Sequence, residues 1–104
     1  MHLKEHYLDL VVNEVEDLTS RITLLKTSFA QQKASVKLEH YWELENVRSC
    51  FREFKFRVAE LQDSDDLQIE RSHVAVEVAR NDLVQAVDAL LDVLQGAKST
   101  NYVT

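Results

Sequence analysis

The sequence lacks proline altogether and has a single glycine, Gly96, among its 104 residues. Proline and glycine are the two strongest helix breakers, so almost nothing in this chain interrupts a helix. Its common residues are Leu, Val, Glu, Lys, Arg, Gln and Ala, a composition typical of long amphipathic helices. A chain of this length is expected to form one small domain with a modest core, for which self-association is a reasonable expectation.

Cysteine is equally scarce, because Cys50 is the only one. A single cysteine excludes an intramolecular disulfide and a multi-cysteine zinc site. Cys50 lies beside the apolar Phe51, so we interpret it as a small buried hydrophobe. A reactive thiol would need a basic or metal neighbour, and the sequence indicates none.

Long apolar runs are missing as well. No run approaches the roughly 18 apolar residues of a membrane-spanning helix, and the start of the chain, residues 2–6, is charged where a signal peptide has its apolar core. We therefore expect a soluble, cytoplasmic protein. The net charge is −6, and residues 63–96 hold eight acidic but only two basic residues. Without a basic cluster, neither nucleic acid nor an anionic membrane is an expected partner.

The sequence does contain apolar residues at helical spacing, and these predict an all-α fold. The heaviest stripe consists of Leu44, Val47, Phe51, Phe54, Val58 and Leu61. A second stripe keeps strict heptad spacing, as in a coiled-coil seam, and consists of Leu8, Val11, Val15, Leu18, Ile22, Leu25 and Phe29. A third consists of Ile69, Val76, Leu83, Val87, Leu90 and Leu94, with Val84 and Leu91 in a strip beside it.

These stripes predict an antiparallel coiled-coil helical hairpin or bundle with segments at about 3–30, 36–62 and 65–95. Residues 31–35 leave two alternatives open: a turn that folds the first segment back, or one continuous helix through both segments. The apolar stripe resumes one residue late after residues 31–35. On a straight helix, a strict heptad stripe rotates around the helix by roughly 60° over three repeats, and this offset rotates it back. Leu8 and Leu44 then lie on the same face, which narrowly favours the continuous helix.

The ends of the last helix have local signals. Residues 62–66, Gln-Asp-Ser-Asp-Asp, predict a turn in which Asp63 or Ser64 caps the following helix. Gly96 is predicted to end that helix as its C′ residue. The sequence therefore predicts a single helical domain at residues 1–97 and a disordered tail at 98–104.

The heptad seam of the first segment must be covered, since in the predicted hairpin the last helix ends opposite residue 34. Either the hairpin of the same chain covers the seam or a second chain does, and the second alternative gives a homodimer. The residues predicted at that interface are Leu8, Val11, Val15, Leu18, Ile22, Leu25, Phe29 and Trp42. Trp42 follows Tyr41, and adjacent residues cannot both point into one seam, so Trp42 either packs in the core or contacts a protein partner.

Chemical signatures are weak. No Ser/His/Asp set, glycine-rich phosphate loop or zinc-protease motif occurs, so we expect no enzyme and no cofactor. His2 and His6, four residues apart, have a spacing that suits a shared metal ion. Glu70 and His73 match the Glu-x-x-His step of carboxylate-bridged diiron bundles.

Solvated or boundary side chains are nevertheless the favoured interpretation of these histidines and of Glu70, and solvated charge is the favoured interpretation of Glu39 and Glu43 near Trp42. The sequence thus favours a non-catalytic, self-associating structural or protein-interaction module. The alternative is a metal-binding helical bundle that uses Glu70, His73 and nearby carboxylates.

Three runs carry a family resemblance: Lys33-Ala-Ser-Val-Lys-Leu-Glu-His-Tyr, Glu43-Leu-Glu-Asn-Val-Arg and Val58-Ala-Glu-Leu. Together with residues 79–90, they resemble small uncharacterised bacterial coiled-coil proteins that form a helical hairpin. Those relatives usually carry a tryptophan just after the turn, where this chain has Asp66-Leu67-Gln68. The resemblance implies the hairpin architecture and no catalytic activity.

Overall fold

The computed structural model describes residues 3–103, and side chains for residues 4–96. Its helices are α1 (Leu3–Ala30), α2 (Ala34–Glu39), α3 (Tyr41–Asp63) and α4 (Ile69–Val103). No strand occurs among these residues, so the predicted all-α fold is confirmed, and α3 and α4 form its helical hairpin. The molecule is an elongated rod of 59 × 19 × 16 Å.

The chain reverses direction after α1, so the preference for one continuous helix through residues 31–35 is wrong. The last turn of α1 closes with a bond from the Gln32 amide to the Phe29 carbonyl at 3.0 Å. Lys33 then has an extended backbone, with φ −60° and ψ 152°, before the short α2 begins. Helix propensity is a weak preference that tertiary packing overrides, and here packing of the α1 seam requires the reversal.

Polar contacts between distant residues fix the direction of α1. The Lys4 ammonium donates to the carbonyl of Ser64, which follows α3, and the Arg80 guanidinium of α4 binds both carboxylate oxygens of Glu14 at 2.7 and 2.8 Å. Helix α1 therefore lies parallel to α4 and antiparallel to α3. The result is a bundle of three long helices within one chain.

One core runs the length of this bundle and takes side chains from all three long helices. The most deeply buried are Ile22 of α1, Val47, Phe54 and Leu61 of α3, and Val76, Leu83 and Leu90 of α4. All six residues of the predicted α3 stripe are buried. In α4 the small residues Ala79 and Ala86 are buried, whereas Val84 and Leu91 are partly exposed, so α1 covers only part of the second strip.

The turn between α3 and α4 is where the sequence predicts it, but its cap is a different residue. The Asp65 carboxylate accepts hydrogen bonds from the amides of Leu67 and Gln68 at 3.1 and 3.0 Å, as an N-cap residue does. The predicted capping residue Ser64 instead ends α3 and donates its hydroxyl to the Glu60 carbonyl at 2.8 Å. Of these neighbouring residues, it is therefore Asp65, and not the predicted Asp63 or Ser64, whose side chain caps the turn at residues 66–68 that leads into α4.

Helix α4 is longer than the sequence predicts, because it continues past Gly96 to Val103. Gly96 does not have the positive φ of a C′ residue, so it does not terminate the helix. The division into a domain at residues 1–97 and a disordered tail at 98–104 stays a prediction, because the side chains of residues 97–104 lie outside the described ones.

Two adjacent leucines test the packing of α1. Leu25 is 8% exposed and lies in the core, whereas Leu24 is 68% exposed. We expect Leu25→Ala to lower the free energy of unfolding by about 2–4 kcal/mol and Leu24→Ala by less than about 1 kcal/mol. Urea unfolding of both variants, at a dilution where the chain sediments as a monomer, checks this. Equal effects would contradict an α1 that packs within its own chain.

Candidate functional site

The outward face of α3 carries two large exposed aromatic side chains. Trp42 is 76% exposed and Phe56 is 56% exposed. Nine residues at about 100° each place Trp42 opposite the core residue Phe51, so its side chain points away from the bundle. The alternative that Trp42 packs in the core is therefore wrong.

Next to Trp42, the face forms an open, shallow depression. Its volume is about 570 Å³, and it is lined by Trp42, Glu43, Glu45, Asn46, Ser49 and Arg52. The Tyr41 ring meets the Trp42 ring edge-on, with centroids 5.6 Å apart and an interplanar angle of 72°. This contact restricts the orientation of the indole before any partner is bound.

Ion pairs along α3 flank this face. Arg48 donates to Glu45 at 3.0 Å, and Arg57 donates to Glu53 at 2.8 Å and to Glu60 at 2.7 Å. The hydrogen bond that Arg57 donates to Glu60, and then the charge of Glu53, raise the pKa of Arg57. Arg52 also lines the depression, and it makes neither a hydrogen bond nor an ion pair with any residue described by the structure.

A second concave surface, the α1–α4 groove, lies at the end of the bundle near the α3–α4 turn. It has a volume of about 650 Å³ and is lined by Lys4, His6, Tyr7, Leu10, Leu61, Ile69, Glu70, His73 and Val74. Its lining is mainly apolar, with polar groups converging from α1 and α4. Such a surface has the size and character of a site for a small molecule or for side chains of a partner.

Tyr7 connects this groove to the α1–α4 interface. Its hydroxyl donates to the Glu77 carboxylate at 2.9 Å, and its ring contacts the His73 ring at 4.3 Å between centroids. Burial, and then the hydrogen bond to Glu77, raise the pKa of Tyr7 well above its ordinary value. Beside it, Arg80 donates a hydrogen bond to Glu14. This bond, and then the negative charge of Glu14, raise the pKa of Arg80. These contacts set the register of α1 against α4.

The sequence-predicted metal ligands are only partly brought together. His6, Glu70 and His73 line the same groove, whereas Glu39 and Glu43 lie at the other end of the bundle, on either side of His40. Among the side chains of residues 4–96, no group of three or more His, Cys, Asp or Glu residues is placed to hold a metal ion. His2 lies outside the described residues.

Cys50 has the surroundings of a structural cysteine. It is partly buried against the core, and its thiol lies 3.6 Å from the amide oxygen of Asn46. Burial, and then the charge of Asp82, raise the pKa of the Cys50 thiol, which disfavours the reactive thiolate.

The α1 seam lies inside the chain. The seam residues Val11, Leu18, Ile22, Leu25 and Phe29 are buried in the core, and Leu8 and Val15 pack against it. The structure therefore adopts the alternative in which the same chain covers the seam, and these residues are not a free surface for a second chain. Of the eight residues predicted at an interface, Trp42 remains exposed.

Sequence reasoning missed Phe56 and Arg52 as members of an outward face. The signal was present, because Trp42, Ser49 and Phe56 are spaced by seven residues, which places them on one side of a helix. We refer to Trp42, Glu45, Ser49, Arg52 and Phe56 as the outer α3 surface.

The chain matches no protein-family model, no curated protein and no solved structure. Its resemblance to bacterial coiled-coil proteins therefore stays a prediction. Within residues 3–103, none of the helices combines the length and the apolar character needed to cross a membrane.

The contact between Tyr7 and Glu77 makes a testable prediction about pH. Because folding raises the pKa of Tyr7, its contribution to stability is complete below pH ~10 and is lost as the pH rises above that value. We expect Tyr7→Phe to lower the free energy of unfolding by about 1 kcal/mol at neutral pH. We also expect the wild type to lose more stability than Tyr7→Phe as the pH rises beyond 10.

Urea unfolding from neutral to alkaline pH measures both effects. Tyr41→Phe is the matched control, because no hydrogen bond of the Tyr41 hydroxyl occurs among the described residues. An alkaline loss of stability that is the same in the wild type and in Tyr7→Phe would contradict the role assigned to this hydroxyl.

Proposed function

We propose that the protein is a non-catalytic helical interaction module that self-associates through the outer α3 surface. The observation that carries this proposal is the exposure of Trp42 and Phe56 on a face that no other helix of the described chain covers. Single exposed apolar residues are ordinary on protein surfaces, but two large aromatics that lie two heptads apart on the same side of one helix are typical of an interface.

The composition of the outer α3 surface supports the proposal. Exposed tryptophan and arginine are the residue types that most often dominate binding energy at protein interfaces. Trp42 is pre-oriented by Tyr41, and Arg52 has no ion pair with the side chains that the structure describes. A partner that covers this surface gains apolar burial and a charge pair without any change in the core of the bundle.

Sedimentation equilibrium tests the proposal. We expect the wild-type chain to have a mass above that of one chain at high concentration, and Trp42→Ala to shift association to at least about tenfold higher concentration. The control is Leu24→Ala, which removes a side chain of similar exposure from α1 and should keep the wild-type mass. Trp42→Ala should also unfold at the wild-type urea concentration under dilute conditions, since the indole is outside the core.

A wild-type chain that stays monomeric at the highest soluble concentration would contradict self-association. If Trp42→Ala and Leu24→Ala lowered the sedimentation mass equally, the contact surface would not be specific to α3.

Metal binding is the second candidate function, and one observation favours it: His6, Glu70 and His73 line the same groove. Imidazole and carboxylate groups are the ligands that zinc and related transition metals take in proteins. Elemental analysis of protein purified without an affinity tag tests this candidate. A stoichiometric transition metal that is lost in His73→Gln would support it, and wild-type protein without such a metal would exclude it.

A further inference from the structure

We infer that the outer α3 surface binds the same surface of a second copy, with the two α3 helices antiparallel and a two-fold axis passing beside Ser49. This inference rests on the proposed self-association and specifies its geometry. Two-fold pairs are the commonest closed assemblies, and each residue contact in them occurs twice.

The aromatic residues are placed symmetrically about Ser49. Trp42 lies seven residues before Ser49 and Phe56 lies seven residues after it, which corresponds to about 10.5 Å along the helix in each direction. In an antiparallel pair centred on Ser49, each Trp42 is level with the partner's Phe56. Both exposed aromatics are then covered at the same time, at the two ends of the contact.

The charges follow the same symmetry. Glu45 lies four residues before Ser49 and Arg52 lies three residues after it, so each Arg52 is within about 1.5 Å of the level of the partner's Glu45. A two-fold axis perpendicular to both helices keeps these residues on the same edge of the contact, so two Arg–Glu pairs form. Glu45 has Arg48 as its partner in its own chain, whereas Arg52 has no ion pair within residues 4–96.

A parallel arrangement does not satisfy the same residues. With α3 helices in parallel register, each residue is level with its own copy, so Arg52 and the partner's Glu45 are about 10.5 Å apart along the helices and on opposite edges of the contact. No Arg–Glu pair then forms between the two chains, and Arg52 gains no opposite charge. The charge pattern of the outer α3 surface therefore favours the antiparallel arrangement.

The size of the surface is sufficient for a weak, specific dimer. Aromatic side chains bury about 150–250 Å² each when covered, so two Trp42 and two Phe56 side chains at their present exposure supply roughly 400–600 Å². Glu45, Asn46, Arg52 and Glu53 lie around them and extend the contact toward the ~1,000 Å² of a specific interface. The small Ser49 at the centre lets the two helix backbones approach closely.

Disulfide trapping tests the geometry directly. In a Cys50→Ala background, we expect Ser49→Cys to form a covalent dimer under mild oxidation, because the two copies of residue 49 lie beside the axis. Glu60→Cys is the matched control on the same face. Residue 60 lies eleven residues from the centre, so its two copies are about 33 Å apart in the antiparallel pair and cannot be joined.

The outcomes separate this inference from the proposed function. A parallel dimer would trap both cysteine variants and would overturn the antiparallel geometry. A wild-type dimer in sedimentation that traps neither variant would also overturn it, while leaving self-association intact. A wild-type monomer in sedimentation would overturn both proposals.

Charge reversal gives an independent readout. We expect Glu45→Arg and Arg52→Glu each to weaken dimerisation about tenfold, because each change places two like-charge pairs in the contact. The double variant restores opposite charges across the interface, so we expect its dimerisation constant to return to within about threefold of the wild type. Circular dichroism of each variant checks that the bundle remains folded. A double variant that is weaker than both single variants would contradict the predicted pairing of Arg52 with the partner's Glu45.

Discussion

The apolar side chains of α1 have to leave water, and the hairpin of α3 and α4 supplies an apolar surface of matching length. Burying a large apolar side chain stabilises a protein by about 1.5–3 kcal/mol, so the seam contributes on the order of 10 kcal/mol as an upper estimate. That is comparable with the entire net stability of a small domain. The chain reverses at residues 31–33 because the stabilisation from burying the seam is much larger than the helix propensity of that short segment.

The polar contacts of α1 have a different role from its apolar ones. The bonds from Tyr7 to Glu77 and from Arg80 to Glu14 are partly exposed, so each contributes about 1 kcal/mol or less to stability. Apolar side chains of similar shape would pack in several registers along a helix. Directional hydrogen bonds to a carboxylate at one position are satisfied in one register only, and they therefore specify how far α1 is shifted along α4.

The sequence predicts the core of α3 completely and the direction of the chain poorly. Apolar spacing determines which face of a helix is buried, so the six stripe residues from Leu44 to Leu61 are identified without knowledge of the fold. Whether Gln31, Gln32 and Lys33 continue a helix depends on the stability of distant packing, which a local pattern does not contain. The cap shows the same limit: Asp63, Ser64 and Asp65 are all suitable residue types, and the backbone path selects Asp65.

The candidate site was partly visible in the sequence as well. Angular position alone places Trp42 opposite Phe51, and this consideration outweighs the general preference of tryptophan for burial. The role proposed for Arg52 required the structure, because only the observed ion pairs show that Arg48 and Arg57 are paired along α3 whereas Arg52 has no ion pair among the described residues. Residue spacing can thus locate an outward face, but the distribution of charge on that face depends on which pairs the folded chain has already formed.

Helix α3 therefore has an apolar inner face and, opposite to it, a mixed aromatic and charged outer face, and the fold depends on the inner one. The inner face, with Phe54 fully buried, is required for the bundle to fold, whereas the outer α3 surface is exposed in the folded chain. Because the two faces lie about 180° apart, substitutions at Trp42 or Phe56 leave the core contacts of α3 unchanged. The proposed self-association is therefore not needed for the bundle to fold, and the charged residues around Trp42 would make it sensitive to salt.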